Sequence, residues 1–141
     1  MPSPDAPLTG GCACGAVRFE ITAPFSSAGY CHCKRCQRRS GALWALNGVL
    51  DASAFRIVNG ADAVRTWHPP DGLQKSFCGE CGGHVFAGDP DSGPTVGIRL
   101  GAVDGDPEIR PRWHQWVDSA PDWERIPDDG LPRFPGQRET D

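Results

Sequence analysis

No run of apolar residues in this chain exceeds a few positions, so no membrane-spanning helix is expected. Excess positive charge is missing too. Lys and Arg number 14 against 18 Asp and Glu, and a formal net charge of -4 argues against a protein that grips a phosphate backbone. The opening residues, Met1-Pro-Ser-Pro-Asp5, carry neither a basic segment nor an apolar core and do not read as a secretory signal. The expectation is a cytoplasmic protein with no nucleic-acid and no membrane partner. Long helices are excluded by 18 Gly and 14 Pro, which favour short strands and turns. No Ser-His-Asp set and no phosphate-cradling glycine loop stands out, so nucleophilic triads and nucleotide chemistry find no support. At 141 residues there is room for one domain.

What the chain does have is seven cysteines in three tight groups: Cys12-x-Cys14, Cys31-x-Cys33-x-x-Cys36 and Cys78-x-x-Cys81. Disulfides fit poorly, because the count is odd, a secretory context is lacking and cysteines one residue apart seldom bridge. A thioredoxin-type redox pair would require a βαβ context that the sequence does not offer. Closely spaced thiols in such a chain read instead as metal ligands. An all-sulfur set favours zinc over calcium, magnesium or manganese, and an iron–sulfur cluster would want a fourth cysteine beside the central three. Seven divides most simply into four and three, although spacing alone permits other pairings. Four thiolates would close a structural site, whereas three would leave one position open for chemistry. Cys14 and Cys81 are each followed by glycine, which lets the chain turn and aim backbone N–H groups at the sulfurs.

Elsewhere the pattern is one of strands. Val17, Phe19 and Ile21 alternate with Arg18 and Glu20, as in a half-buried strand. Similar segments are Leu43–Leu46 with Val49 and Leu50, Phe55–Val58, Ala63–Trp67, His84–Phe86 and Thr95–Ile98. Turns are expected at Asn47-Gly48 and Asn59-Gly60. The one place for a short helix is Cys33 to Arg39, free of Gly and Pro. Asp89, Asp91 and Ser92 lack the ligand spacing of a calcium loop and read as a solvated turn. Residues 1–7 and 135–141 read as flexible tails around a single domain spanning 8–134.

Gly10-Gly-Cys-Ala-Cys-Gly15, Cys31-His-Cys-Lys-Arg-Cys36 with Ser40-Gly41, and Ser76-Phe-Cys-Gly-Glu-Cys-Gly-Gly83 together resemble the glutathione-dependent formaldehyde-activating enzyme family, which includes centromere protein V. The resemblance extends over residues 8 to 134 and takes in His114, Trp116, Trp123-Glu-Arg-Ile-Pro127 and Leu131-Pro-Arg-Phe134. It implies a mainly β, Mss4-like fold (a β-tent) with zinc-pinned antiparallel sheets. It also implies a structural zinc on Cys12, Cys14, Cys78 and Cys81, and a second, substrate-facing and more labile zinc on Cys31, Cys33 and Cys36. The implied activity is that of a carbon–sulfur lyase making or breaking a thiol–aldehyde adduct such as S-(hydroxymethyl)glutathione. Its partners would be a small thiol such as glutathione and an aldehyde. A non-catalytic thiol-binding module and a zinc-stabilised interaction scaffold are the alternatives, and the scaffold is disfavoured by an acidic chain without a long basic extension.

Lys34, Arg35, Arg38 and Arg39 crowd the central cysteines and are candidates to hold thiolates deprotonated or to bind substrate carboxylates. His32 and His114 are further substrate-site candidates, His32 as a proton shuttle. His68, His84 and Glu80 read as ordinary polar positions, and Trp44, Trp67 and Trp123 as core or pocket wall rather than a base-stacking platform.

Overall fold

The computed structural model describes residues 1–139. Ten strands and one α-helix make it a mainly β protein. Strands β1 (Leu8–Gly11), β2 (Arg18–Ile21) and β5 (Phe55–Asn59) form a three-stranded antiparallel sheet in the order β1-β2-β5. The second sheet comprises β3 (Ser27–Cys31), β4 (Ala45–Asp51), β6 (Val64–Trp67), β7 (Lys75–Cys78), β8 (His84–Ala87), β9 (Thr95–Arg99) and β10 (His114–Gln115). Its seven strands run in the order β10-β3-β4-β9-β8-β7-β6, antiparallel except for the parallel β10–β3 edge.

The alternation read from β2 is realised. Val17, Phe19 and Ile21 are fully buried, while Glu20 faces outward and accepts from Arg56 of the neighbouring β5. Leu50, Val85, Val96 and Ile98 of the larger sheet join the same core. The two sheets meet through aromatic rings: Phe55, 5.4 Å from Phe19 within the small sheet, lies 4.9 Å from Phe86 of the large one. Each such side chain removed from water stabilises the fold by about 1.5–3 kcal/mol.

Helix α1 (Lys34–Ser40) matches the expected helix to within one residue at each end. Cys33 is its N-cap, with Sγ accepting from the Cys36 amide at 3.4 Å, and Gly41 closes it in the left-handed region. Arg38 and Arg39 in the last turn suit the negative end of the helix dipole. On its buried side, the Gln37 amide donates to the His32 and Ser119 carbonyls, each at 2.9 Å. The helix is thereby fixed to the cysteine loop before it and to a distant C-terminal segment.

Two expectations need correction. Asn47-Gly48 is no turn: both residues lie inside β4, paired with Gly29 and Ala28 of β3 on one side and with Arg99 and Ile98 of β9 on the other. Pairing along both edges outweighs the local turn preference. Glycine is needed there because a Cβ would sit 2.6 Å from the Phe25 ring. Trp123, expected in the core or a pocket wall, is 76% exposed. Asn59-Gly60 does turn, with Gly60 at φ 78°.

Strands β1, β3 and β7 escape the sequence pattern, being short and built from small or mixed residues such as Ser-Ala-Gly-Tyr-Cys. The chain ends make contacts that their composition does not announce. Pro2 is buried, the Trp116 amide donates to the Gly136 carbonyl, and the Arg138 guanidinium lies 3.9 Å from the centre of the Trp113 ring. The last two residues of the expected 135–141 tail lie outside the described residues. Among the described residues, no helix is long and apolar enough to cross a membrane.

The β4 packing carries a prediction. Gly48→Val overpacks Phe25 and Leu100 and is expected to cost about 1–3 kcal/mol in urea unfolding.

Candidate metal centres and thiol site

The turn between β1 and β2 carries Cys12 and Cys14, and the turn between β7 and β8 carries Cys81 just after Cys78. Folding the small sheet against the large one brings these four sulfurs together, all within 4.8 Å of one another. Cys12 Sγ lies 3.7 Å from Cys14 Sγ, which lies 3.9 Å from Cys78 Sγ. A tetrahedron with metal–sulfur bonds of about 2.3 Å has edges of about 3.8 Å, so the four sulfurs are spaced as zinc ligands would be. Backbone amides point at them as well: Val17 N–H donates to Cys12 at 3.2 Å, Glu80 to Cys78 at 3.3 Å and Gly83 to Cys81 at 3.4 Å. Such bonds favour thiolates over thiols. Positive φ at Gly15 and Gly82 gives both turns the curvature that aims those amides.

The second group is assembled locally. Cys31 ends β3, Cys33 caps α1 and Cys36 lies in its first turn, with the three ligand atoms also within 4.8 Å of one another. Among the described residues, no fourth Cys, His, Asp or Glu joins them. Three thiols this close cannot ionise together unless a cation neutralises them. Hydrogen bonds from Cys31 and Cys36 hold the Cys33 thiol far below its usual pKa, and Cys31 is pushed up in turn, first by its bond to Cys33. All seven cysteines are free of disulfides. Soft sulfur donors in a four-fold and a three-fold set fit metal ions, zinc included.

The basic residues of α1 divide. Arg35, Arg38 and Arg39 line an open cleft of about 760 Å³ with Trp67, Phe77 and His84. Arg35 is committed already, since its guanidinium donates to the Asp71 carboxylate at 2.6 Å and to the Asp71 carbonyl at 2.9 Å, and it lies over Trp67. Lys34 is exposed, faces Gln37 at 3.5 Å and does not line the cleft. A second open cleft of about 740 Å³ runs past Cys12, Trp44, Arg99 and Asp104, and His84 borders both.

His32 and His114 lie elsewhere. They are 1% and 2% exposed, line neither cleft and bond to each other, His32 Nε2 to His114 Nδ1, at 2.8 Å. His114 Nε2 continues to Asp129 at 2.8 Å, while Tyr30 stacks on its ring at 4.7 Å. Burial, with His114 and Arg133 nearby, lowers the His32 pKa to about 4, so its imidazole is neutral at physiological pH. This buried chain ties the cysteine loop to β10 and the C-terminal segment.

Arg99, Lys75 and Phe77 are residues that sequence reasoning passed over, and His84, read as an ordinary polar position, is hydrogen-bonded to Arg99. Arg99 Nη1 donates to Asn47 Oδ1 at 3.1 Å and Nη2 to His84 Nδ1 at 3.4 Å. Burial, with Arg39 and Arg99 adding to it, lowers the His84 pKa to about 4. Only the position of Lys75 and Phe77 immediately before Cys78 could have flagged β7, and four mixed residues are too short a pattern to read.

Residues 7–119 match the model of the family described as "Glutathione-dependent formaldehyde-activating enzyme". The chain belongs to this family. A relative from Halomonas elongata, provisionally named a glutathione-dependent formaldehyde-activating enzyme, is 32% identical over 84% of this chain and 80% of its own. A Sordaria macrospora relative with the same provisional name is 27% identical over 59% of this chain, but that match takes in only 38% of the longer fungal protein. A crystal structure of a Rhodobacter sphaeroides protein shares the fold, with a TM-score of 0.58 at 24% identity, covering 89% of this chain and 99% of that one. The segment matching the family model contains all seven cysteines, α1 and the cleft-lining residues, whereas Asp129 lies beyond it.

His114→Ala removes the partner of both His32 and Asp129 and leaves the buried His32 Nε2 without its hydrogen-bond partner. We expect a loss of about 1–3 kcal/mol in urea unfolding, with Asp129→Ala costing less because that carboxylate reaches solvent.

Proposed function

We propose that the chain is a zinc-dependent carbon–sulfur lyase that makes and breaks the adduct between a small thiol, glutathione or a close analogue, and formaldehyde. Membership of the formaldehyde-activating family supports the coarse activity. The observation that carries the finer reading is the central cysteine group, which has three sulfurs, no fourth protein donor among the described residues, and a position on the helix whose arginines line the cleft. The first and last cysteine pairs would hold a structural zinc, and Cys31, Cys33 and Cys36 a second one. A zinc ion held by three thiolates supplies a free coordination position that lowers the pKa of a bound thiol or polarises a carbonyl oxygen.

The chain's own residues do the rest. Arg38 and Arg39 draw an anionic thiol into the cleft. Trp67 and Phe77 wall it with apolar surface and exclude water from one side. In the forward direction, the substrate sulfur attacks the aldehyde carbon and a carbon–sulfur bond forms. The carbonyl π pair moves onto oxygen, which takes up the proton given up by the thiol. The reverse reaction breaks that bond and returns free thiol and aldehyde. Thiolates add to formaldehyde readily, so proximity and proton delivery are the main tasks left to the protein. Cys31, Cys33 and Cys36 do not themselves line the cleft; helix α1, which carries Cys36 and the cleft arginines, links the two.

Two measurements test the reading. Exchange NMR of an equilibrium mixture of glutathione, formaldehyde and adduct should show faster exchange with the protein than with a Cys33→Ser variant. Equal rates with the two proteins would remove the lyase, and tight binding without acceleration would leave a thiol-binding module. Metal analysis of zinc-loaded protein should find close to two ions per chain, one of them readily chelated. Cys36→Ser should lose the labile ion and keep its circular dichroism, whereas Cys12→Ser should unfold, because structural zinc contributes about 10–16 kcal/mol.

A further inference from the structure

His32 joins the end of β3 to the cap of α1, so a rotation of its backbone would carry Cys31 and Cys33 with it. It is held at three points. Its N–H donates to the Gln115 carbonyl at 3.0 Å, its carbonyl accepts from the Gln37 side chain at 2.9 Å, and its Nε2 bonds to His114 Nδ1 at 2.8 Å. Gln37 is fixed in turn by its bond to the Ser119 carbonyl at 2.9 Å. Each anchor therefore leads away from the sulfurs to the stretch between His114 and Ser119.

That stretch is clamped from outside by the C-terminal segment. The His114 N–H donates to the Pro132 carbonyl at 2.9 Å, its carbonyl accepts from the Phe134 N–H at 2.9 Å, and its Nε2 donates to Asp129 Oδ2 at 2.8 Å. Asp129 is oriented by the Leu131 N–H, which donates to Oδ1 at 3.1 Å. Farther along, the Trp116 and Val117 amides donate to the Gly136 and Phe134 carbonyls. Residues 129–136 thus form a strap along β10 that reaches the sulfur loop through two buried imidazoles. The strap lies beyond residues 7–119, which match the family model.

We propose that Asp129 is a positioning residue for the three-sulfur site: through His114 and His32, the strap holds the Cys31–Cys33 loop ready to ligate and tightens the hold on its metal ion. The ion in this statement rests on the lyase reading above, whereas the positioning rests on the hydrogen-bond chain. Thiols within 4.8 Å of one another repel as they ionise, so without a cation they favour separation. Ligands kept in place by the fold meet that ordering cost before the ion arrives, which raises affinity. A merely structural role for Asp129 would instead weaken the fold and both sulfur sites together.

Chelator titration of zinc-loaded protein tests this, with the four-sulfur ion as internal control. In Asp129→Ala the labile ion should bind about 10-fold more weakly than in wild type, the lower end of what outer-shell partners contribute, while the tight ion is unchanged. Asp129→Asn keeps an oxygen acceptor for His114 Nε2 and should restore most of the difference. A labile ion held equally by wild type and Asp129→Ala overturns the proposal. So does weakening of both ions together, or a wild type that takes up only one ion. If Asp129→Ala fails to fold, wild type stripped of its labile ion replaces it. Its His32 amide should stay protected from hydrogen exchange and its His114 Nε2 proton should stay visible by NMR, and loss of either counts against the strap. Failures separate cleanly. A labile ion that depends on Asp129, without faster adduct exchange, removes the lyase and keeps the strap. Faster exchange with an ion indifferent to Asp129 keeps the lyase and removes the strap.

Discussion

Sulfur crowding is the constraint on which this structure depends. Thiols packed within 4.8 Å of one another, as in both cysteine groups, resist joint ionisation and gain little as neutral neighbours. A bound cation turns that crowding into cohesion. The four-sulfur group draws on the β1–β2 turn of the small sheet and the β7–β8 turn of the large one, with Cys14 and Cys78 64 residues apart in sequence. A metal ion held there would tie the two sheets together at one end, while Phe55 of the small sheet packs against Phe86 of the large one in the core. A small domain rich in Gly and Pro has a limited core, and a metal clasp is a common supplement.

The three-sulfur group is built differently, a contrast that fits the proposed division of labour. Its ligands span six residues of one strand end and one helix, so it closes almost no loop and adds little to the fold. What it gains is placement. Helix α1 presents Cys36 and Arg39 one turn apart, and Gln37 locks the opposite face of the helix to His32 and Ser119. The buried His32–His114–Asp129 chain anchors the same loop from behind. Sulfurs, cations and cleft are thus held by interior contacts, as a site requiring precise geometry demands.

Much of this was legible in the sequence, for identifiable reasons. Cysteine spacing is short-range information: it marked three tight groups and a four-plus-three division, while the family resemblance assigned the first and last pairs to one site. The β2 alternation and the α1 helix were likewise encoded locally. Long-range pairing was not. Asn47-Gly48 has the composition of a turn and becomes the middle of β4, because β3 and β9 pair with it on both sides. His84 and Arg99 meet only when β8 and β9 lie side by side, and no local pattern announces that contact. His32 and His114, 82 residues apart, looked like site residues because of their neighbours in sequence, yet they turn inward and meet each other.

The central claim is that one sulfur set is complete and the other lacks one ligand that a thiol can supply. X-ray absorption at the zinc edge reads this directly. Zinc-loaded protein alone should show about 3.5 sulfurs per ion on average, and saturation with glutathione should raise that to about 4. An average already at four without thiol, or one that does not move when glutathione is added, would contradict the account.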